Sequence, residues 1–498
     1  MKPVFCLWAI VALAVALPGA APPQEAALEA LRPRFHFTPP RNFMNDPNGL
    51  VFYKGEYHLF YQHNPFGHAW GHMSWGHAVS RDLLHWDHLP IALREEDGIM
   101  VFSGSTVVDW HNTSGFCKTV GDDRSCLVAI YTGHTATRQT QNLAYSNDRG
   151  RTWTKYASNP VVDLGLRDFR DPKVFWHAPT SRWVMVTVLA TQHKVRLFAS
   201  PDLKRWETLS DFGPAGATGG VWECPDLFPL PLDGNAGDLR WVLDVDINPG
   251  GVAGGSGGQY FVGSFDGTRF VNENPPATTL WADYGKDFYA SLSFSDIPPA
   301  DGRRIWMAWI SNWQYANEEP TVIWRGAQSV PRELALRRLP DGIRLVQQPV
   351  AELRSLRASA NPVAVVESMT LPESAEIELE FERGSWNQAG IRLSNRAGEE
   401  VIVGVTSNPP EVFVDRRNSR KTPVHREYPG RHAGPVRWRD GRLSLRVLFD
   451  RSVVEVFAND GETVVTDRVL PTEALDRIAP LEQGRPRLAR LWALRAQP

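Results

Sequence analysis

An all-β architecture, a five-bladed β-propeller followed by a C-terminal antiparallel β-sandwich, is the fold class that the sequence predicts. Two observations carry it. A tryptophan-ended turn recurs through the first two thirds of the chain, and apolar residues alternate with polar ones in the last third.

The repeat reads Ser80-Arg81-Asp82 to Trp86, Ser146-Asn147-Asp148 to Trp153, and Ser200-Pro201-Asp202 to Trp206. Each copy follows a β-rich run: Tyr57 to Tyr61, Leu127 to Tyr131, and Trp183 to Leu189. A weaker copy, Gly263-Ser264-Phe265-Asp266-Gly267, ends at Phe270. The markers lie 67, 53 and 64 residues apart. Units of about 60 residues hold a four-stranded sheet with one long loop, which is a propeller blade. Residues 33–335 then hold five blades; a β-sandwich of the same length is the alternative.

Composition changes after Pro331. Arg332 to Leu356 is charged and helix-tolerant, and residues 336–356 read as a linker. In residues 357–498, Ile377, Leu379 and Phe381 interleave with Glu376, Glu378, Glu380 and Glu382. Leu443, Leu445, Val447 and Phe449 repeat the alternation, and Asn459-Asp460-Gly461 makes a hairpin turn. One face of each strand is buried and the other wet, as in an antiparallel sandwich.

The N-terminus reads as an export signal over residues 1–21: Lys2, an apolar run from Val4 to Leu17, then small residues at Gly19-Ala20-Ala21. The run is too short to span a bilayer, so a secreted or periplasmic protein without a membrane span is expected. The formal net charge is −3 with no long charged run, which excludes nucleic acid as a partner class. In an oxidising compartment, Cys117 and Cys126, which flank a polar loop, are expected to form a disulfide. Cys224 is then a packed thiol. No cysteine–histidine spacing fits a metal site, and no cofactor is expected. The histidines at 63, 68, 72, 77, 85 and 88 read as packing and polar contacts at the rim. The 19 tryptophans read mostly as core, with some faces free to stack on sugar rings.

Three acids stand in turn-like settings in separate units: Asp46 before Pro47-Asn48-Gly49, Asp171 between Arg170 and Pro172, and Glu223 before Cys224-Pro225. Each taken alone is an ordinary turn or ion pair. Inner strands of a propeller converge on one axis, so the three carboxyls are expected to share a funnel. Glycoside hydrolysis needs one carboxylate to attack or orient water and another to protonate the leaving oxygen.

These motifs resemble those of the β-fructofuranosidases of glycoside hydrolase family 32. The likeness extends through Leu59 to Gln62, Trp70 to Trp75, Phe102 to Ser105, Asp283 to Ala290 and Val454 to Phe457, and is strongest toward exo-levanases and exo-inulinases. The resemblance implies a retaining enzyme that releases terminal fructose from levan, inulin and sucrose, with a carbohydrate as partner and the chain a monomer or homodimer. It implies Asp46 as nucleophile, Glu223 as acid/base and Asp171 as a holder of ring hydroxyls. It also implies a fructose pocket shaped by Asn45, Gln62, Trp70, Phe102, Ser103, Arg170, Asp287 and Trp309. One departure is Phe43, where the family usually has Trp; an aromatic wall is kept and an indole donor lost. The rivals are an inverting propeller glycosidase on arabinan- or xylan-like chains, a non-catalytic sugar-binding propeller, and a fructosyl transferase.

Overall fold

The computed structural model describes residues 28–496, so the export signal expected at residues 1–21 lies outside the described residues. The fold is all-β. Three four-stranded antiparallel units open the chain: Asn42–Tyr53 to Trp86–Leu93, Met100–Val108 to Thr154–Lys155, and Phe169–His177 to Glu207–Phe212. A nine-stranded sheet follows. It contains Val221–Leu232, Asn235–Asn248, Gly257–Phe265 and Phe270–Asn272, joined by one parallel pair, Leu232 with Leu336, to a second group of strands. That group is Tyr289–Ser293, Arg304–Trp309, Arg332–Leu339 and Gly342–Pro349.

The first strands of these units contact one another in a cycle. Asn42–Tyr53 packs on Met100–Val108, which packs on Phe169–His177, then Val221–Leu232, then Tyr289–Ser293, and that strand packs back on Asn42–Tyr53. The ends of the ring are also hydrogen-bonded: Trp324 and Arg325 pair in parallel with Asn42 and Phe43. The repeated motif has a local physical role at the rim. Asp82 accepts the backbone N–H groups of Leu84 and His85, and Asp202 those of Lys204 and Arg205, each at 2.9–3.0 Å. Asp148 does the same for Thr152 at 2.9 Å. The indole N–H of Trp86, Trp153 and Trp206 donates to a carbonyl of the same turn at 2.8–3.1 Å. The carboxylate caps the turn and the indole pins it where the chain enters the outermost strand.

The stretch expected as a linker is not one. Arg332–Leu339 and Gly342–Pro349 form a hairpin in full register, from Arg332 opposite Pro349 to Leu339 opposite Gly342. Leu334, Leu336 and Leu345 are buried, so period-2 burial overrides the helix-tolerant composition. Only Ala351–Leu356, a 3-10 turn, leads onward.

The remaining chain forms two six-stranded antiparallel sheets. Ile377, Leu379, Phe381, Leu443, Leu445, Val447 and Phe449 share one buried cluster with Ile391, Val403 and Val414 of the other sheet. Glu376 departs from the expected wet face: it is fully buried, and Arg357 and Arg446 each donate to it at 2.7 Å. Cys117 and Cys126 are disulfide-bonded, and Cys224 is free and buried. His77 stacks on His58 with ring centroids 5.3 Å apart, and exposed His72 contacts Glu95 at 2.8 Å. Among the described residues, no helix is long and apolar enough to cross a membrane.

Candidate active site

Each first strand of the ring carries a register irregularity near its N-terminal end. These fall at Met44/Pro47, Val101/Gly104, opposite Arg170–Lys173, at Glu223/Asp226 and at Tyr289/Leu292. A β-bulge re-aims the side chain beside it. Asp171, Cys224 and Ala290 lie in the left-handed region, with φ of 62°, 47° and 57°, a conformation that costs energy in any residue with a Cβ. Pro47, Pro172 and Pro225 sit within the irregular stretches, where the missing N–H leaves no ladder bond unmade.

The irregularities gather one cavity of about 330 Å³ at this end of the ring. Asn45, Asp46, Gln62, Trp70, Phe102, Ser103, Arg170, Asp171 and Glu223 all line it. The three acids expected to meet therefore do meet. Asp46 is buried; it accepts Ser103 Oγ at 2.6 Å and Asn45 Nδ2 at 2.9 Å. Burial nevertheless outweighs these donors and, helped by the nearby Glu223 charge, pushes its carboxyl up to about 6. Asp171 accepts the backbone N–H of Cys224 at 3.0 Å and lies 3.8 Å from Arg170 Nε. Burial raises its pKa against the pull of Arg170, and the charges of Glu223 and Asp46 add to the rise. The Cys224 thiol lies 3.7 Å from Asp46 Oδ2 and 3.8 Å from Asp171 Oδ2, between the two acids.

Glu223 is the more open acid, its side chain 20% exposed. Its neighbours are polar: Arg170 Nε donates to Oε1 at 3.1 Å and the Tyr289 hydroxyl donates to Oε2. Arg170 thus touches two of the acids, and Gln139 and Asp168 hold its far end at 3.3 and 3.2 Å. Gln62 is fixed by donating to the Val101 carbonyl at 3.0 Å, and Phe102 stacks on His134 at 4.2 Å.

Two expected pocket residues lie elsewhere. Asp287 is fully buried away from the cavity, where it takes Arg416, the Arg468 N–H and the Tyr315 hydroxyl. It joins the ring to the C-terminal sheets. Trp309 is fully buried behind the wall, packed on Trp313 at 4.8 Å and Tyr289 at 6.5 Å. Phe43 is likewise buried, stacked on Trp313 at 6.3 Å, so it backs the cavity wall instead of forming it. Tyr289, Trp313, Asn248 and Asn317 line the cavity and were not singled out from sequence. Tyr289 lies within the Asp283-to-Ala290 run that carries the family resemblance, which was the available signal.

Residues 36–349 match the glycosyl hydrolases family 32 N-terminal domain, and residues 349–489 match the family 32 C-terminal domain. A levanase of Bacillus subtilis is 49% identical over 457 residues, covering 89% of this chain and 67% of the levanase. The extracellular exo-inulinase of Aspergillus niger is 39% identical, covering 89% of this chain and 90% of its own. The crystal structure of an Aspergillus awamori exo-inulinase superposes with a TM-score of 0.87 at 36% identity, over 94% of this chain and 99% of that one. A Schwanniomyces occidentalis β-fructofuranosidase, solved with fructosyl-erythritol, gives 0.85 at 33% identity, over 93% and 97% of the two chains.

Proposed function

The chain belongs to glycosyl hydrolase family 32, and on that footing we propose a retaining exo-β-fructosidase in which Asp46 is the nucleophile and Glu223 the acid/base. It is a β-fructofuranosidase acting on fructans and sucrose. The observation that carries the proposed roles is the meeting of Asp46, Asp171 and Glu223 in one cavity with Arg170 between two of them.

In the proposed mechanism, ionised Asp46 attacks the anomeric carbon while protonated Glu223 gives its proton to the departing oxygen. The product is a covalent fructosyl ester on Asp46. Glu223, now a carboxylate, takes a proton from water, which attacks the same carbon and releases fructose with its configuration retained. Ser103 and Asn45 fix the nucleophile's two oxygens, so the attacking lone pair is aimed before substrate arrives. Asp171 and Arg170 hold ring hydroxyls as oxocarbenium-like charge develops. Trp70 and Phe102, with rings 5.9 Å apart, form an aromatic side for the sugar's C–H face.

The same reading takes the strand cycle as a five-bladed propeller, ending at Pro349, and the two later sheets as a sandwich. Exo action follows the exo-inulinase relatives. Export through the N-terminal signal completes the reading, as the extracellular relatives suggest. The test is to follow sucrose and fructan cleavage by NMR. Initial release of β-fructofuranose is the expected result, and an inverted anomer would remove Asp46 as nucleophile.

A further inference from the structure

Among the described residues three tryptophans are exposed: Trp70 at 40%, Trp110 at 49% and Trp176 at 37%. Trp70 stands at the catalytic mouth. The other two line a second and larger cavity, of about 570 Å³, at the opposite end of the ring. It is built from the C-terminal halves of three strands whose N-terminal halves line the first: Val107, Phe175 and Leu227 line it, against Phe102, Arg170 and Glu223 in the first. At ~3.3 Å per residue, Arg170 and Trp176 are separated by about 20 Å along their strand.

This cavity is prepared for a ligand in two respects. Its tryptophans are held: the Trp110 indole N–H donates to Asp296 Oδ1 at 2.9 Å, and Trp176 packs edge-on with Trp183 at 5.2 Å. Its floor is polar. Asp226 is fully buried there, and Oδ2 takes the Ser293 N–H at 2.7 Å, while Oδ1 is buried with no hydrogen-bond partner. Lys173, 3.5 Å from Asp226, and Arg304 line the same floor. A purely apolar ligand would desolvate this charged floor without offering it a polar partner. A sugar meets both demands, with C–H faces for indoles and hydroxyls for carboxylate and cations.

We propose that this cavity is a non-catalytic binding site for a sugar unit of the fructan itself. The proposal rests on the fructanase reading. A polymer held at the far mouth raises the local concentration of chain ends at the catalytic mouth, whereas sucrose is too short to engage both.

The test uses the full chain. Glu223→Gln, which suppresses turnover, is compared with Glu223→Gln/Trp110→Ala/Trp176→Ala by native electrophoresis in gels containing levan, inulin or dextran. The expected result is about a tenfold weaker retardation of the triple variant by fructan, equivalent to ~1.4 kcal/mol, with dextran retarding neither. Equal retardation of the two variants by fructan overturns the proposal. So does loss of retardation by dextran and fructan alike, which would leave a sugar site without the fructan assignment. A change of oligomeric state by size exclusion with retardation unchanged would assign the cavity to a contact between copies, and overturns it too. Fructose release from sucrose and fructans by the unaltered chain is read separately, so failure of the fructanase reading is distinguishable.

Discussion

The Tyr289 hydroxyl and Arg170 Nε grip the two oxygens of Glu223 from opposite sides, Tyr289 at Oε2 and Arg170 at Oε1. A carboxyl that must give up a proton and then take one back needs its orientation fixed in both states. Tyr289→Phe is expected to lower kcat roughly 10- to 100-fold, the value of one charge-assisted hydrogen bond. In a Glu223→Gln background the same change should cost much less. Equal costs in both backgrounds, read by steady-state kinetics, would mean that Tyr289 acts elsewhere.

Asp46 must be ionised to attack, and its environment sets it at about 6. The acid limb of kcat/KM is therefore expected near pH 6, well above an ordinary aspartate. Ser103 donates to the ionised form and lowers the value. Ser103→Ala should move that limb to higher pH, as measured by a pH–rate profile on sucrose; a limb that stays put contradicts the assignment.

The raised value has a stability consequence of definite sign. Folded Asp46 holds its proton up to about 6, while the unfolded chain releases it near 3.8. Its contribution to stability is present in full below the unfolded value and lost as pH rises through 6. Asp46→Asn is thus expected to gain about 1–3 kcal/mol over the native chain near pH 8, and almost nothing near pH 3.5. Denaturant titrations at the two pH values measure this.

Asp287 and Arg416 are a fully buried ion pair between the ring and the C-terminal sheets. Arg416→Met leaves the Asp287 charge without its cation and is expected to cost about 3–5 kcal/mol of stability. Sucrose KM, measured well below the melting point, should hold within about twofold. A large rise in KM without loss of stability would restore Asp287 to the sugar pocket.

The strand repeat and the acids were legible because each has a local chemical signature. An Asp-capped, Trp-pinned turn writes itself into sequence, and so does a carboxylate beside proline at a bulge. Asp287 was misplaced because it lies in the bend before Tyr289–Ser293, where its direction is set by contacts with the C-terminal sheets, and Trp309 because the face it turns inward depends on its pairing with Tyr289. Trp313 and Asn317 come from the segment between Arg304–Trp309 and Trp324–Arg325, whose path is set by tertiary contacts. The Arg332–Pro349 hairpin did carry a signal, Asp341-Gly342 between alternating Leu334, Leu336 and Leu345, but the arginines masked it.

The parallel pairing of Asn42 and Phe43 with Trp324 and Arg325 also imposes an order in time. The strand that carries Asp46 pairs early with Glu56–Asn64 but acquires its parallel neighbour only after nearly three hundred further residues have been made. Such distant pairing is slow and is rewarded late. A nascent or truncated chain that stops short of residue 325 therefore has its nucleophile on a ring without this closing pair, and closure arrives in one late event instead of growing with length.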